Sequence, residues 1–328
     1  MKAFLTGATG YIGHQLALEL AELDFTVHAL VRDIESPKIP NHKNIIPFEG
    51  DICNSRTVFR AMENCDYVFH TAAFTNLNCN DISCFYETNV KGTQHVLNAA
   101  LELKIKKVIY TSTLSVFGPS YKTVPITELQ PRLTSYANDY ELTKSMAEEL
   151  VESYIKKGLP CMTLCISKVY GPGLNTFSNG VNRLIQLMLS QRVMIVPDKL
   201  EVSSNYVFIQ DVLKAHILAM KSELINEKFI IGGENMDYAN LFELIKDLTK
   251  SKVKIIKVNY KVLRFIFSFM NALQILFKVP VKIRPRVLDA LFVHRVSSSQ
   301  KAIENLKYKS TQLKMGLEHT IQHIKLQS

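Results

Sequence analysis

Tryptophan is absent from the 328 residues, and cysteine is scarce. None of the six cysteines forms a CxxC pair, and none joins histidines at zinc-ligand spacing. A zinc module and a disulfide scaffold are therefore excluded, and no metal site is expected. Cys161 and Cys165 sit four apart in an expected strand, so both point to one face, as buried reduced thiols would. No internal repeat or low-complexity tract occurs, which removes solenoid and linker architectures. The opening MKAFLTGATGYIG breaks its apolar run at once into glycines and lacks a cleavage-site pattern. The expectation is a cytoplasmic protein, with the membrane surface as the variant that a basic segment introduces. Acidic residues are missing between 250 and 286.

What is present suits a large core. Hydrophobic residues make up 47%, and the length fits one large domain or a core domain with a smaller appendage. The first half alternates short apolar runs with helical patterns. Strands are expected at Lys2–Thr6, Phe25–Val31, Asp66–Ala72, Lys107–Ser112 and Pro160–Ser167. Helices are expected at Ile12–Glu22, Asn89–Leu103 and Tyr140–Lys157. This alternation predicts an α/β fold, a Rossmann-type doubly wound parallel sheet covered on both faces. After Gly171 the alternation weakens, apart from a strand and helix near Asn205–Lys221 and helices at Asp237–Thr249 and Leu313–Ile324. The expected division is a dinucleotide-binding domain over 1–170, with return segments near 203–220. A smaller, partly discontinuous C-terminal substrate domain would take 171–328.

The chemistry starts at Thr6-Gly7-Ala8-Thr9-Gly10-Tyr11-Ile12-Gly13, between the first strand and the first helix. Gly7 permits a tight turn. Gly10 leaves a diphosphate free to approach the backbone, and Gly13 lets helix and strand pack closely. The helix N-terminus then offers N–H groups and partial positive charge to phosphates. Thr9, Tyr11 and Ile12 belong to the same cofactor-binding turn. At the end of the second strand the chain reads Val31-Arg32-Asp33. Arg32 can grip a 2′-phosphate with two hydrogen bonds, which favours NADP, while Asp33 keeps NAD open.

Tyr140 and Lys144 form a YxxxK, one turn apart on a helix face. A phenol ionises near pH 10, and an ammonium one turn away is expected to lower that value. A hydroxyl-rich strand end, Thr111-Ser112-Thr113, precedes the pair.

With these pieces in order, the chain resembles the extended short-chain dehydrogenase/reductase family. The matching segments are Thr6 to Gly13, Gly50-Asp51-Ile52, His70 to Ala73, Asn89 to Thr93, Thr111 to Thr113, Tyr140 to Lys144 and Val169 to Gly173. The resemblance implies roles. Tyr140 would be the general acid/base, and Lys144 would hold the nicotinamide ribose. Thr113 would hydrogen-bond the reacting oxygen, with Thr111, Ser112 and Ser115 as rivals. Asp51 and Ile52 would flank the adenine, and Ala72 and Ala73 would pass close to the diphosphate. Asn89 would be a support. A homodimer through the helix of Tyr140 is also implied. Two departures weigh against a nucleotide-sugar substrate. Cys165-Ile166 replace the Arg-Pro common before VYGPG, and Phe208 replaces a frequent histidine. Segments such as Phe229 to Asn235 resemble the branch of dihydroflavonol-4-reductase-like and 3β-hydroxysteroid-dehydrogenase-like proteins.

The resulting expectation is an NADP-dependent reductase or dehydrogenase of a lipophilic ketone or alcohol. The alternatives are an NAD-dependent sugar-nucleotide epimerase and a non-catalytic NADP sensor. The net charge of +9 has a local source, since ten lysines and arginines lie between Lys250 and Arg286. Within that stretch 262–277 is almost wholly apolar, with Arg264, Ser268, Asn271 and Gln274 on one stripe. It is too short to span a bilayer. It either packs on the core beside an apolar pocket or lies on an anionic membrane. No nucleic-acid motif accompanies the charge, so no nucleic-acid partner is expected.

Overall fold

The computed structural model describes residues 1–79, 81–121, 124–132, 135–176, 179–277 and 285–327, with backbone alone at 274–277 and 285–287. The strands are β1 (Lys2–Thr6), β2 (Thr26–Val31), β3 (Ile45–Glu49), β4 (Tyr67–His70), β5 (Lys107–Thr113), β6 (Cys161–Ile166), β7 (Lys168–Tyr170), β8 (Val193–Pro197), β9 (Ser203–Phe208), β10 (Glu227–Ile231), β11 (Glu234–Asp237) and β12 (Lys254–Val258). The helices are α1 (Tyr11–Glu22), α2 (Ser55–Met62), α3 (Ile82–Tyr86), α4 (Thr93–Glu102), α5 (Asp139–Lys156), α6 (Gly180–Ser190), α7 (Ile209–Lys221), α8 (Tyr238–Thr249), α9 (Tyr260–Phe277), α10 (Pro285–Leu291), α11 (Gln300–Leu306) and α12 (Leu313–Leu326). A π-helical turn, Glu87–Gly92, joins α3 to α4.

The main sheet has seven parallel strands in the order β10-β6-β5-β4-β1-β2-β3. Its strands are buried on both faces, as continuous apolar runs require: Ala3, Phe4 and Leu5 are all 0% exposed. Alternate side chains separate into two cores. Leu5, Val27 and Met162 pack with α1 and α7, while Phe4, Val68 and Cys161 pack with α2, α4 and α5. Strand order reverses between β1 and β4, which opens a crevice at their carboxyl ends. The chain places the glycine turn there.

Two smaller sheets follow, β11-β9-β7 and β12-β8. β10 returns to complete the main sheet beside β6, and α7 packs against α1. Several elements lacked a sequence signal, β3, α2, α6 and β8 among them. β3 carries a proline, Pro47, at a sheet edge, where a missing donor is tolerated. α2 has only eight residues, although Asn54 caps it by accepting from Arg56 N–H. α6 and β8 occupy a stretch that reads as irregular.

The basic segment is only partly described. Lys278, Lys282 and Arg284 lie outside the described residues, as does the side chain of Arg286. Among the described residues no helix is long and apolar enough to cross a membrane.

Candidate active site

The glycine turn has the shape its residues dictate. Gly7 sits at φ +81°, and a Cβ there would meet Thr71 Oγ1 at 2.7 Å and Ala72 N at 2.8 Å. A Cβ on Gly13 would lie 2.2 Å from the Gly7 carbonyl oxygen. Gly10 caps α1 without a side chain, and no acidic residue stands in the first turn. The N–H groups there are left for an anion, so the cradle fits a dinucleotide diphosphate. Tyr11 is buried, and its hydroxyl donates to Gly171 O at 2.8 Å. Its side chain thus braces the VYGPG segment, and only its backbone N–H faces the cradle's task. Thr9 is half-buried in the turn, and Ile12 packs against the first core.

The remaining expected contacts ring this cradle. Thr6 sits beside Ala72, whose N–H donates to Thr6 Oγ1 at 3.2 Å. Ala73 follows, half-buried. Asp51 accepts from Cys53 N–H at 2.8 Å, and Ile52 is buried against Gly92. Arg32 is exposed just past β2, and Asp33 turns back to accept from Glu35 N–H at 3.0 Å. Asn89 is buried and ties the loop after β4 to α5, pairing with the Phe74 backbone and donating to Thr143 Oγ1 at 3.0 Å.

α5 carries the YxxxK. Asn138 caps it by accepting from Glu141 N–H at 2.9 Å, and Asp139 and Glu141 suit its positive end. Tyr140 is half-buried and hydrogen-bonded to the Thr113 hydroxyl. Thr113 Oγ1 also lies 3.0 Å from Ser115 Oγ. The rival hydroxyls are occupied elsewhere: Thr111 pairs with His216 Nε2 at 2.8 Å, and Ser112 donates to Glu148.

One expectation is corrected. Lys144 does not lower the Tyr140 pKa in this arrangement. Burial pushes the Tyr140 phenol up to about 12, with the Thr113 hydrogen bond pulling the other way. Lys144 instead turns inward, donating to Tyr110 Oη at 2.6 Å and Thr111 O at 2.9 Å. Burial lowers the Lys144 pKa to about 7.

Behind the site runs a buried polar chain that the sequence did not reveal. Thr6 Oγ1 meets His70 Nδ1 at 2.7 Å, and His70 Nε2 meets Thr93 Oγ1 at 2.9 Å. Thr93 donates to Asn89 O at 2.6 Å and is hydrogen-bonded to Tyr110. Thr93 has one proton and gives it to Asn89, so it accepts from both His70 and Tyr110. The chain therefore links the glycine turn to Lys144. Only its long-range pairing across β1, β4 and β5 shows it: Thr6 and His70 end their strands, and Tyr110 stands opposite His70 in mid-β5. A second unanticipated group is Lys168 on β7. It donates to Ser204 Oγ at 2.8 Å and Tyr238 Oη at 2.7 Å, and burial lowers its pKa to about 7.

This arrangement can donate a proton beside a hydride acceptor: a protonated phenol, a threonine hydroxyl and an amine stand at the carboxyl end of β5. The comparisons with known proteins agree with that chemistry. The model of the NAD dependent epimerase/dehydratase family matches residues 3–232. A 4-hydroxy-2-methyl-3-oxo-4-farnesyl-3,4-dihydroquinoline-1-oxide ketoreductase of Stigmatella aurantiaca is 32% identical over 46% of this chain and 45% of that protein. The match therefore spans less than half of that relative. A UDP-N-acetyl-alpha-D-glucosaminuronate decarboxylase of Bacillus cytotoxicus is 28% identical over 79% of this chain and 84% of its own. The crystal structure of gox2253 superposes with a TM-score of 0.82 at 26% identity, covering 99% of this chain and 98% of that one.

Proposed function

We propose that this chain, which belongs to the NAD-dependent epimerase/dehydratase family, is an NADP-linked reductase that interconverts a ketone and a secondary alcohol on a lipophilic small molecule. One observation carries the reading. The Tyr140 phenol is hydrogen-bonded to Thr113 and held up to about 12, so it is protonated at neutral pH and ready to donate. A bound nicotinamide dinucleotide supplies the hydride. Thr113 donates a hydrogen bond to the substrate carbonyl oxygen, and Tyr140 delivers the proton to the same oxygen. Lys144 holds the nicotinamide ribose. Gly7, Thr9, Gly10, Tyr11, Ile12 and Gly13 receive the diphosphate, with Ala72 and Ala73 alongside. Asp51 and Ile52 flank the adenine. Arg32, exposed and without a hydrogen-bond or ion-pair partner among the described residues, takes the 2′-phosphate. Residues 171–328, apart from the return segments, hold the substrate. A homodimer through α5 is part of the same reading.

The lipophilic substrate class is supported by the farnesyl-quinoline ketoreductase among the relatives and by Cys165 and Phe208 where nucleotide-sugar enzymes carry polar groups. The sugar-nucleotide decarboxylase supports a second reading, an NAD-dependent enzyme of a sugar nucleotide.

Titration with NADPH and NADH, followed by fluorescence, separates the two. The expected result is tight NADPH binding that weakens about tenfold or more in Arg32→Ala, the scale of a charge-assisted phosphate contact. Apolar ketones should then be reduced by the wild type and not by Tyr140→Phe. Equal NADH binding, indifferent to Arg32, would put the sugar-nucleotide reading first. An NADPH-binding protein unchanged in cellular function by Tyr140→Phe would be a sensor.

A further inference from the structure

The core-packing alternative for the apolar helix requires its apolar face to be covered. It is not. Along α9 through Leu273, Leu263 is the one side chain that is buried. Phe265 is 71% exposed, Phe269 57% and Val262 49%, and Ile266, Met270 and Leu273 are exposed with them. At ~100° per residue these six positions fall within an arc of about 140°. The opposite side is the one that docks. Tyr260 stacks edge-on to Phe292, and both Tyr260 and Arg264 bond to Asp289 on α10. The helix is therefore held by its polar side and presents its apolar side outward, the reverse of a core helix.

The chain leading into it is basic, and the acid at its start is spent as a cap: Asp198 accepts from Tyr260 N–H at 2.9 Å and from Asn259 Nδ2 at 3.1 Å. Lys250, Lys252, Lys254, Lys257 and Lys261 are all exposed on the approach to α9. The nearest acid downstream is Asp289, which is already paired with Arg264. β12 leads into α9 through Asn259 alone, and it adds a further apolar pair. Ile256 stands opposite Ile195 in the parallel register, and both are exposed. A protein partner would need a long acidic groove to match this surface. An anionic bilayer supplies both halves at once: hydrocarbon for the arc of Phe, Ile and Val, and headgroup phosphates for the lysines.

We propose that α9 is an interfacial anchor that lays its Val262–Leu273 face into the surface of an anionic bilayer, with the preceding lysines on the headgroups. No described helix can span a membrane, so the contact is peripheral. The inference rests on the proposed lipophilic substrate only for its purpose: the anchor would bring the cleft to molecules dissolved in lipid. Its own observations are the outward arc and the exposed lysines from 250 to 261, with no acid among them in the chain.

The test is sedimentation of the full chain with phosphatidylcholine vesicles, with and without phosphatidylglycerol. Phe265→Ser/Phe269→Ser is run beside it. The wild type should sediment with anionic vesicles, weakly with neutral ones, and less as salt rises. The double variant should partition at least tenfold less, since each lost phenylalanine removes about a tenfold share. NADPH affinity, measured in the same samples, should be equal in both proteins. Wild type that binds NADPH but neither vesicle would overturn the anchor and leave the reductase reading standing. So would a double variant that sediments as well as the wild type. A wild type that ignores vesicles and self-associates, while the double variant is monomeric, would make the face a contact between copies.

Discussion

Tyr110 is the residue that changes most between sequence and structure. It reads as an ordinary aromatic in a buried strand, yet its hydroxyl receives the Lys144 amine at 2.6 Å. A hydroxyl oxygen that accepts from an ammonium favours the charged form. Burial works against it and leaves Lys144 near 7. Removing the hydroxyl with Tyr110→Phe should lower the Lys144 pKa further. Lys144 is protonated below its pKa, so turnover that depends on the ammonium falls as pH rises through that value. The alkaline limb of kcat/KM should move to lower pH in the variant, by roughly half a unit to one unit. A limb that stays in place would remove Tyr110 from the role of positioning Lys144.

At the scale of elements, the entry to α1 is the most constrained place in the fold. A Cβ on Gly13 would sit 2.2 Å from a backbone oxygen, which cannot move as a side-chain tip can. Gly13→Ala should therefore shift α1 off the turn. It should cost about 1–3 kcal/mol and weaken NADPH binding with it. Gly180→Ala is the control, because its Cβ would meet nothing within 4 Å, and it should be neutral. Chemical denaturation of both variants checks the pair, and equal midpoints would refute the argument. The contrast also explains what the sequence disclosed. The glycine turn, α1, α5 and the strands β1, β2, β4, β5 and β6 were legible because local spacing and capping determine them. The partners of Thr111, Lys144 and Lys168 were not, because each lies on another element far along the chain. α9 was legible as a helix, but which side it buries depended on Asp289 and Phe292 across from it.

For the molecule as a whole, two histidines sit neutral on opposite faces of the main sheet. Burial lowers His70 to about 3 and His216 to about 4. Their unfolded forms take up a proton near 6.5. The stability they allow is complete above that pH and is lost as pH falls toward the folded values, since the unfolded chain then binds more protons. The loss should be on the order of 2 kcal/mol for each by pH 5. Urea midpoints at pH 7 and pH 5 measure it, and a midpoint that does not fall would argue that the histidines are solvated.

The order of the main sheet also bears on how the chain is made. β6 is complete at Ile166, but its outer neighbour β10 ends at Ile231. During synthesis the nascent chain must hold an open strand edge, apolar but for Thr163, while the next sixty or so residues emerge, a matter of several seconds at ribosomal speed. Such an edge is a template for pairing with other chains. Fragments that stop near residue 170 would carry the whole nucleotide cradle and yet be born with that edge uncovered.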